Sequence, residues 1–415
     1  MTIALMKHKY WLFILLPGLL AGCRQLPGVS TLDLSDQYNV RPDHSLAIQS
    51  VPYNTSDSIT TLYLRIRRDI LEKEYGPEPD IMPRLMYVLH TAYENGTVSD
   101  SGHILIPWPP AADGNAWVTL QLDLPVSNGQ SRICQLSMGE IPGIRHLSAL
   151  DRTTAFGRQD VLLTDPAGNP LFDPVIRAGQ PFRLAISSQR INELRTDQFS
   201  SFPEIALPPF AFRNEPAKDL LPLRSWNILL QDGLSPVIVL ENKGLYLFRK
   251  DKTSREGFSL LCLDESFPVV NSAEDMLPPL QYLTTSREFA DLQAVESPKL
   301  AIDRFWLSVT GNAGRARLRI REFYSRIEQA NELFTSFQEG WKTDRGIIYV
   351  VYGPPKVVYR NDKTEKWIYG EAGNSHSLRF SFSKVETSFT IHEYRLNRSP
   401  VYKESWYNAV EAWRR

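Results

Sequence analysis

The chain has 415 residues, which is too long for one compact core and suits two or three domains. A hydrophobic fraction of 42% and an aromatic fraction of 11% exclude a disordered protein, and 29 prolines against 23 glycines favour strands ended by turns over a helical bundle. The net charge of −1 conceals a division, because residues 23–295 carry −9 and residues 296–415 carry +6.

The N-terminus resembles a bacterial lipoprotein signal peptide. Two lysines precede a short apolar run from Trp11 to Leu20, and Ala21-Gly22 then leads directly to Cys23. The run is shorter than the roughly 20 apolar residues that span a bilayer, and small residues before a cut site are typical of an exported chain. The resemblance implies that residues 1–22 are removed and that acyl chains such as palmitate on Cys23 anchor the protein. The alternative is an uncleaved helix with a chance cysteine.

The residues after Cys23 predict where the anchored protein lies. Arg24 stands where an Asp would suggest retention in the inner membrane, so we expect the outer membrane, with the protein facing the periplasm. Residues 23–42 show no sustained period and contain prolines and a glycine, which predicts a tether. Because an exported, lipid-tethered protein does not meet nucleic acid in the cytoplasm, we expect no nucleic-acid partner.

Two cysteines, Cys134 and Cys262, remain once Cys23 is acylated, and both lie in strand-like segments. The periplasm permits a disulfide between them, but buried cysteine is also a common small core residue. Without a CxxC pair they give no metal or redox signal, and we expect no cofactor.

Residues 43–150 predict a β-sandwich-like domain, because apolar and polar residues alternate with period two. The run from Leu62 to Leu71 is interpreted as a strand rather than a helix. Residues 85–89 and 118–124 show the same alternation. Asn128-Gly129 lies between two such runs and predicts a hairpin turn.

Residues 151–283 predict a second β-sandwich-like domain. A turn over Asp165–Pro170 and a Pro-rich irregular stretch over residues 202–222 interrupt its strands. A loop as long as the second one is either functional or wraps the surface. The predicted strands are Asp160–Thr164, Phe182–Ser187, Trp226–Leu230, Val237–Leu240, Leu245–Phe248 and Phe258–Leu263.

Residues 284–415 predict a helical connector followed by a small α+β module. A capping-box pattern at Thr285-x-x-Glu288 opens a first helix. Ser297-Pro298 supplies an N-cap and a first-turn proline for a second helix, which Gly311 would end.

A third, amphipathic helix is predicted over residues 314–338, since its apolar residues recur every three or four positions. Arg315, Arg317, Arg319 and Arg321 lie near its start on more than one face, so some meet solvent and some can reach a partner. They add to the division of charge in the chain, which either steers an anionic partner to the C-terminal part or lets the two parts dock on each other.

Strand-like segments and a closing helix over Ser405–Trp413 complete the module. The predicted strands are Ile347–Tyr352, Val357–Tyr359, Lys366–Tyr369, Leu378–Phe382 and Ser388–Tyr394. The whole chain is therefore predicted to be mainly β with a C-terminal α+β part: two β-sandwich-like domains, a helical connector and a small α+β module.

A pentapeptide, Gly340-Trp341-Lys342-Thr343-Asp344, follows the third helix, and a Gly353-Pro354-Pro355 turn comes nine residues later. The text from about Ile320 to Phe382 resembles the GWxTD domain found in envelope lipoproteins of Bacteroidetes and some neighbouring phyla. The resemblance implies an envelope setting and a β-rich N-terminal region. It implies no catalytic residues, because the family has no established activity.

The pentapeptide has a structural interpretation. Gly340 would end the helix in a left-handed conformation, and Trp341 would cover the seam between helix and sheet. Thr343 and Asp344 would bond backbone donors, Asp344 would also pair with an arginine, and Gly346 would allow tight entry into a strand.

A functional interpretation stays open beside it. Trp341, Asp344 and Arg345 would line a recognition groove, and Tyr349 and Trp367 would add aromatic surface that can stack on sugars. Exposure of Trp341 separates the two interpretations.

A weaker likeness concerns the order of elements over about 60 residues. A helix, a Gly-x-Pro turn, a Trp-x-Tyr pair and an aromatic strand are similar to the small lipoprotein subunit of the outer-membrane β-barrel assembly machine. The likeness suggests a scaffold or binding role by analogy alone.

Catalytic patterns are scarce. The histidines show no HxH or HExxH spacing, and no GxSxG, Walker or GxGxxG pattern occurs. Ser381-Phe382-Ser383-Lys384 matches SxxK but lies in a predicted strand, whereas that chemistry needs a helix start. A glycan hydrolase needs only two carboxylates at a suitable separation, so the patterns do not exclude one.

We therefore expect a non-enzymatic envelope lipoprotein that binds or scaffolds other envelope proteins. The alternative is an envelope protein that binds or cleaves glycans such as peptidoglycan.

Overall fold

The structure is a computed structural model. It describes residues 29–39, 48–77, 79, 81–94, 96–108, 115–138, 145–154, 156–187, 191–200, 205–212, 221–254, 256–371, 373–385 and 393–415. Strands account for 36% and helices for 27% of the structure, so the fold is mainly β, as predicted. Cys23 and the signal-peptide segment lie outside the described residues.

The first sandwich consists of two antiparallel sheets, ordered β1-β2-β5 and β4-β3-β6-β7. Its strands are β1 (Ile48–Asn54), β2 (Ile59–Arg67), β3 (Arg84–His90), β4 (Val98–Leu105), β5 (Trp117–Pro125), β6 (Ser131–Ser137) and β7 (Arg145–Asp151). Leu62, Leu64 and Ile66 are fully buried between the sheets, which confirms the period-two alternation.

The run beyond Arg67 is helical, so the strand predicted to Leu71 is wrong over its last residues. Helix α1 (Arg68–Tyr75) follows β2 directly and buries Ile70 and Leu71 in the core of the first sandwich. Tyr75, four residues after Leu71, packs on the same core, and Arg68 pairs with Glu72 one turn later.

Asn128-Gly129 forms a turn but not the predicted hairpin. β5 belongs to one sheet and β6 to the other, so this turn connects the two sheets. The Arg152 guanidinium holds it, donating to Asn128 Oδ1 and to the carbonyls of Ile59 and Val126 at 2.7–3.1 Å. The same turn residues thus fit a sheet-to-sheet crossing when a buried arginine satisfies the carbonyls.

The second sandwich pairs a sheet ordered β13-β10-β8 with one ordered β12-β11-β14-β15-β9. Its strands are β8 (Val161–Thr164), β9 (Val175–Arg177), β10 (Pro181–Ile186), β11 (Glu193–Phe199), β12 (Arg224–Leu229), β13 (Ile238–Val239), β14 (Gly244–Arg249) and β15 (Gly257–Leu263). All six predicted strands are present with shifted ends. β9 and β11 were not predicted, and β11 carries too many polar residues to show alternation.

The two cysteines are free and buried. Cys134 lies in the core of the first sandwich and Cys262 in that of the second. Burial raises the pKa of the Cys134 thiol to about 12 and that of Cys262 to about 11, so both act as small core residues.

A C-terminal module, defined as helices α2–α7 with a four-stranded sheet, completes the chain. Thr285 and Glu288 form the predicted capping box, and Gly311 ends a helix in the left-handed conformation, as predicted. Ser297 precedes that helix without a side-chain capping bond. The helices are α2 (Ala273–Met276), α3 (Ser286–Gln293), α4 (Pro298–Thr310), α5 (Ala313–Phe334), α6 (Asp344–Tyr352) and α7 (Tyr402–Trp413).

The predicted strand Ile347–Tyr352 is wrong, because these residues form α6. Thr343 caps this helix, and all residues from Gly346 to Val351 are buried. A helix buried on every side shows no amphipathic period, and its β-branched residues imitate a strand. Tertiary packing therefore overrides local propensity.

The sheet of the C-terminal module is an antiparallel meander ordered β16-β17-β18-β19. Its strands are β16 (Val357–Arg360), β17 (Thr364–Tyr369), β18 (Leu378–Val385) and β19 (Glu393–Leu396). The SxxK match lies in β18, where it lacks the helix start that its chemistry needs. Most of the predicted strand Ser388–Tyr394 lies outside the described residues.

Residues 29–39, here called the strap, pack against the C-terminal module. Leu34 and Tyr38 are buried, and the Leu34 amide donates to the Val358 carbonyl at 2.8 Å. The Ser30 amide donates to Tyr93 of the first sandwich. The tether predicted over residues 23–42 is therefore wrong over residues 29–39, because Leu34 and Tyr38 are buried in the core of the C-terminal module.

A second irregular segment, residues 205–212, here called the docked loop, lies on the same module. The Ala206 amide donates to the Lys342 carbonyl at 2.9 Å, and Phe210 packs on Tyr407 at a centroid distance of 5.5 Å. The Pro-rich stretch predicted over residues 202–222 thus wraps the surface in its described part.

Candidate functional site

Two glycines bring the backbone of the pentapeptide into direct contact with its neighbours. A Cβ on Gly340 would lie 1.8 Å from the Ala330 carbonyl oxygen of α5, and one on Gly346 would lie 1.9 Å from the Gly340 oxygen. Gly340 does not end α5, which stops at Phe334, and it has no positive φ. Close approach, not a left-handed turn, therefore requires glycine here.

Trp341 is buried, with 5% of its surface exposed. Its ring meets Tyr282 edge-on at 6.0 Å, and the Tyr282 hydroxyl donates to the Trp341 carbonyl. The Trp341 amide donates to Asn331 Oδ1 of α5 at 3.3 Å. Trp341 therefore fastens the pentapeptide to α5 and to the residues before α3.

Thr343 uses both hydrogen-bonding functions of its hydroxyl inside the motif. The hydroxyl accepts from the Gly346 amide at 3.0 Å and donates to the Gly340 carbonyl at 2.8 Å. It thus caps α6 and closes the turn before it, as N-terminal Thr residues do.

Asp344 joins three separate segments. One carboxylate oxygen accepts from the Leu396 amide of β19 at 2.8 Å, and the other pairs with Arg398. Arg398 also donates to the Leu207 and Pro208 carbonyls of the docked loop at 2.6 and 2.7 Å. The carboxylate also lies in the first turn of α6, where the helix dipole favours negative charge.

Arg345 points to a buried carboxylate on the neighbouring sheet. Glu365 of β17 is fully buried, and Arg345 lies 3.5 Å from its Oε1. Arg360 donates to Oε2 at 2.6 Å, while the Tyr38 hydroxyl and Trp367 Nε1 donate to Oε1 at 2.9 and 2.8 Å. Every oxygen of the carboxylate is thus paired, which is what a buried charge requires.

The same neighbours decide the charge state of Glu365. Burial alone would raise the pKa of its carboxyl, but the charges of Arg360 and Arg345 and the hydrogen bonds from Trp367 and Arg360 lower the pKa to about 2. Burial raises the pKa of the Tyr38 hydroxyl above its usual range. The cluster therefore holds one carboxylate, two guanidinium groups and a neutral phenol at neutral pH.

Aromatic rings enclose this cluster. Tyr38 stacks on Phe334 at 5.6 Å and lies 5.3 Å from Trp367. Tyr349, which is fully buried in α6, donates its hydroxyl to the Tyr38 carbonyl at 3.0 Å. The strap is thus held through both its side chain and its backbone.

These contacts fix the relation between the pentapeptide, α5, α6 and the sheet, and the family model covers this whole unit. The GWxTD domain model matches residues 244–415. Residues 244–415 are therefore a GWxTD domain. No curated protein matches the chain. The match begins at β14 and so extends further than the resemblance read from residues 320–382.

All five predicted recognition residues lie in the GWxTD domain. Trp341, Asp344 and Arg345 lie at the N-terminus of α6, Tyr349 lies further along this helix, and Trp367 lies on β17, where it donates to Glu365. Trp341, Tyr349 and Trp367 are buried, so these three do not form an exposed aromatic row. The burial of Trp341 favours the structural interpretation of the motif.

Several residues of this site were missed from the sequence, namely Tyr38, Tyr282, Arg360, Glu365 and Arg398. A signal for Glu365 existed, because period two places it on the same strand face as Trp367, and an inward carboxylate needs a cation. No local signal marks Tyr38, whose side chain bonds to Arg360 and Glu365, residues that follow it by 322 and 327 positions.

Within the described ranges, no group of three or more His, Cys, Asp or Glu side chains is placed to hold a metal ion. No described helix is long and apolar enough to cross a membrane. The polar side chains of Thr343 and Asp344 in the motif, and of the neighbouring Glu365, are used in bonds inside the protein. This arrangement can fasten segments together.

We expect Asp344→Asn to lower the free energy of unfolding by about 2–3 kcal/mol, because it leaves Arg398 without its carboxylate partner in a largely buried position. Cleavage of the docked loop by a protease should accelerate. Glu339→Gln is the matched control, since its pair with Lys342 is more accessible and should contribute less than about 1 kcal/mol. Equal unfolding midpoints for the two variants in urea would contradict the role assigned to Asp344.

We expect stability to fall as the pH drops from about 6.5 to 4, because burial and the charge of Arg360 lower the pKa of His146 to about 4. The unfolded chain binds this proton first, so acid favours unfolding by about 3 kcal/mol at most in this window. The contribution of the Glu365 carboxylate to the free energy of unfolding is lost at lower pH, between about pH 4.3 and 2. Urea titrations of the protein and His146→Gln measure the first effect, and a variant that keeps the full loss between pH 6.5 and 4 would contradict it.

Proposed function

We propose that this protein is an envelope lipoprotein, anchored by acyl chains on Cys23 to the outer membrane, that acts as a non-enzymatic binding or scaffold component for envelope proteins. The layout of residues 11–23 supports the anchor. The family supports the C-terminal assignment, since the GWxTD domain covers residues 244–415.

One observation carries the scaffold role. The motif bonds α5, α6, β19 and, through Arg398, the docked loop to one another, and Tyr349 of α6 bonds the strap. The polar groups of the motif are thus used to hold segments together. A body built in this way presents fixed surfaces, which suits the binding of a partner.

The strap supports the anchored arrangement. It begins only six residues after Cys23, and its Tyr38 lies in the core of the GWxTD domain. An extended chain covers at most about 3.6 Å per residue, so an anchor at Cys23 would keep this domain close to the bilayer.

We expect the native protein to fractionate with the outer membrane, and Cys23→Ser to appear in the soluble periplasmic fraction with the same melting temperature. Mass spectrometry of the N-terminal peptide should show acyl chains on Cys23. An unmodified peptide, or a Cys23→Ser variant that stays in the membrane, would refute the anchor.

Partner binding has its own test. Crosslinking in intact cells followed by purification in mild detergent should recover defined envelope proteins with the native protein. Recovery of the protein alone would count against the scaffold role. Release of soluble products from purified cell wall would instead establish the glycan alternative, which the buried aromatic residues do not favour.

A further inference from the structure

The first half of α5 carries an exposed cationic surface. Residues 313–321 contain four arginines and no acidic residue. Arg315, Arg317 and Arg321 are exposed, and Leu318 among them exposes 67% of its surface. Among the described residues these three guanidinium groups have no ion pair or hydrogen bond. We call Arg315, Arg317, Leu318 and Arg321 the basic face.

Helical spacing brings the members of the basic face together. Residues three and four apart are neighbours on a helix, so Leu318 lies between Arg315 and Arg321, and Arg317 lies beside Arg321. The nearby Glu322 is engaged by Arg319 and Arg326. An apolar side chain thus stands in the middle of unneutralised cations.

This arrangement opposes the stability of the helix that carries it. Like charges four residues apart repel, and cations near a helix N-terminus oppose its dipole. The first turn of α5 contains no acidic residue to compensate, and only Asn312 caps it. Charges that destabilise their own helix, with no compensating contact inside the protein, are typical of a surface that serves binding.

The neighbouring helix extends the surface. Leu300, Arg304 and Leu307 are exposed on α4 at spacings of four and three, so they form one row. Gly311 joins α4 to α5 in a helical hairpin. The hairpin therefore offers apolar side chains and arginines in alternation.

The position of the basic face decides between a membrane and a protein as its partner. The strap, which leads to the proposed anchor, packs through Tyr38 on Phe334 at the buried side of α5. Leu318 lies on the solvent side of α5, about 24 Å away along the helix axis, so the basic face is remote from the strap. The exposed leucines Leu300, Leu307 and Leu318 are also separated by arginines, so they do not form the continuous apolar face that a helix in a membrane interface needs.

We propose that the basic face binds a surface of a partner protein that is rich in Asp and Glu carboxylates. Arginines bind carboxylates through two parallel hydrogen bonds, and Leu318 supplies an apolar contact among them. The inference rests on the proposed function, because it names the surface through which the anchored scaffold binds. The contact should weaken steeply with salt.

Photo-crosslinking in cells tests the proposal, with benzoylphenylalanine replacing Leu318 in the full chain. We expect crosslinks to protein peptides rich in Asp and Glu, and we expect Arg317→Glu with Arg321→Glu to abolish them. Arg84→Glu with Arg287→Glu changes the net charge equally at exposed positions elsewhere and should leave them intact.

Three outcomes would overturn the proposal: crosslinks to lipid, protein crosslinks that survive the charge reversal, or no crosslink at Leu318. The proposed function stands if the chain is acylated and other surfaces crosslink to partners while the basic face does not. An unmodified Cys23 would refute only the proposed lipid anchor.

A binding measurement on the purified chain separates a folding defect from a binding defect. Poly-L-glutamate serves as the carboxylate probe, and vesicles containing phosphatidylglycerol serve as the lipid probe. We expect the reversed pair to bind polyglutamate about tenfold more weakly than the control pair, with unchanged melting. Equal affinities, or a preference for vesicles that depends on the same arginines, would overturn the proposal.

Discussion

Gly340→Ala should abolish folding of the GWxTD domain or lower the free energy of unfolding by more than about 4 kcal/mol. The added methyl group would lie 1.8 Å from the Ala330 oxygen and 2.9 Å from the Asn331 Cα, which are backbone atoms of a long helix. Such atoms cannot give way as the end of a flexible side chain does. Circular dichroism and urea unfolding of the purified variant measure the effect.

Gly157→Ala is the matched control for this substitution. Gly157 has an extended backbone with φ at −153°, and the nearest atom to its Cβ would be the Thr154 hydroxyl at 3.3 Å. We expect a change of less than about 0.5 kcal/mol. If Gly340→Ala were equally mild, close backbone packing would not explain the first glycine of the motif.

Tyr38→Ala should lower the free energy of unfolding by about 3–5 kcal/mol, although this residue lies outside the matched family domain. The substitution removes the ring between Phe334 and Trp367 and takes one donor from Glu365. Urea unfolding followed by tryptophan fluorescence measures the loss. Hydrogen exchange at the Leu34 amide reports whether the strap detaches.

Tyr38→Phe separates the two contributions. It keeps the ring and removes the hydroxyl, so we expect a loss of about 1–2 kcal/mol. Leu32→Ala, at a partly buried strap position, should cost less than Tyr38→Ala. A Tyr38→Ala variant with the stability and strap protection of the unaltered protein would show that the strap merely rests on the domain.

The strands were predictable because burial on one side imposes a period of two. Leu62, Leu64 and Ile66 show this, and so do the capping box at Thr285 and the helix end at Gly311. Local chemistry fixes such features. β11 was missed because its side chains include a buried Asp197 held by arginines, and burial of a paired charge leaves no apolar signal.

α6 shows where local reasoning fails. Its run of Ile, Val and Tyr fits a buried strand and a buried helix equally well, and periodicity cannot separate the two. Thr343 followed by Asp344 was the available signal, since this pair starts a helix with a cap and an acidic first turn.

The site was predictable only in part. The pentapeptide and the residue after it located Trp341, Asp344 and Arg345. Their partners Glu365 and Arg398, and the Tyr38 that donates to Glu365, come from three other parts of the chain. A contact between residues so far apart in sequence leaves no local pattern when one sequence is considered alone.

The strap has a consequence for the order of events during biosynthesis. Two residues that hydrogen-bond its Tyr38, namely Tyr349 and Glu365, follow Tyr38 by 311 and 327 residues. A chain made from its N-terminus exposes the strap first and supplies the docking partners last, and closing so large a loop costs entropy before any contact forms. Tyr38 of the strap therefore stays undocked from the GWxTD domain until synthesis is nearly finished, and the core of this domain is the last part of the fold to close.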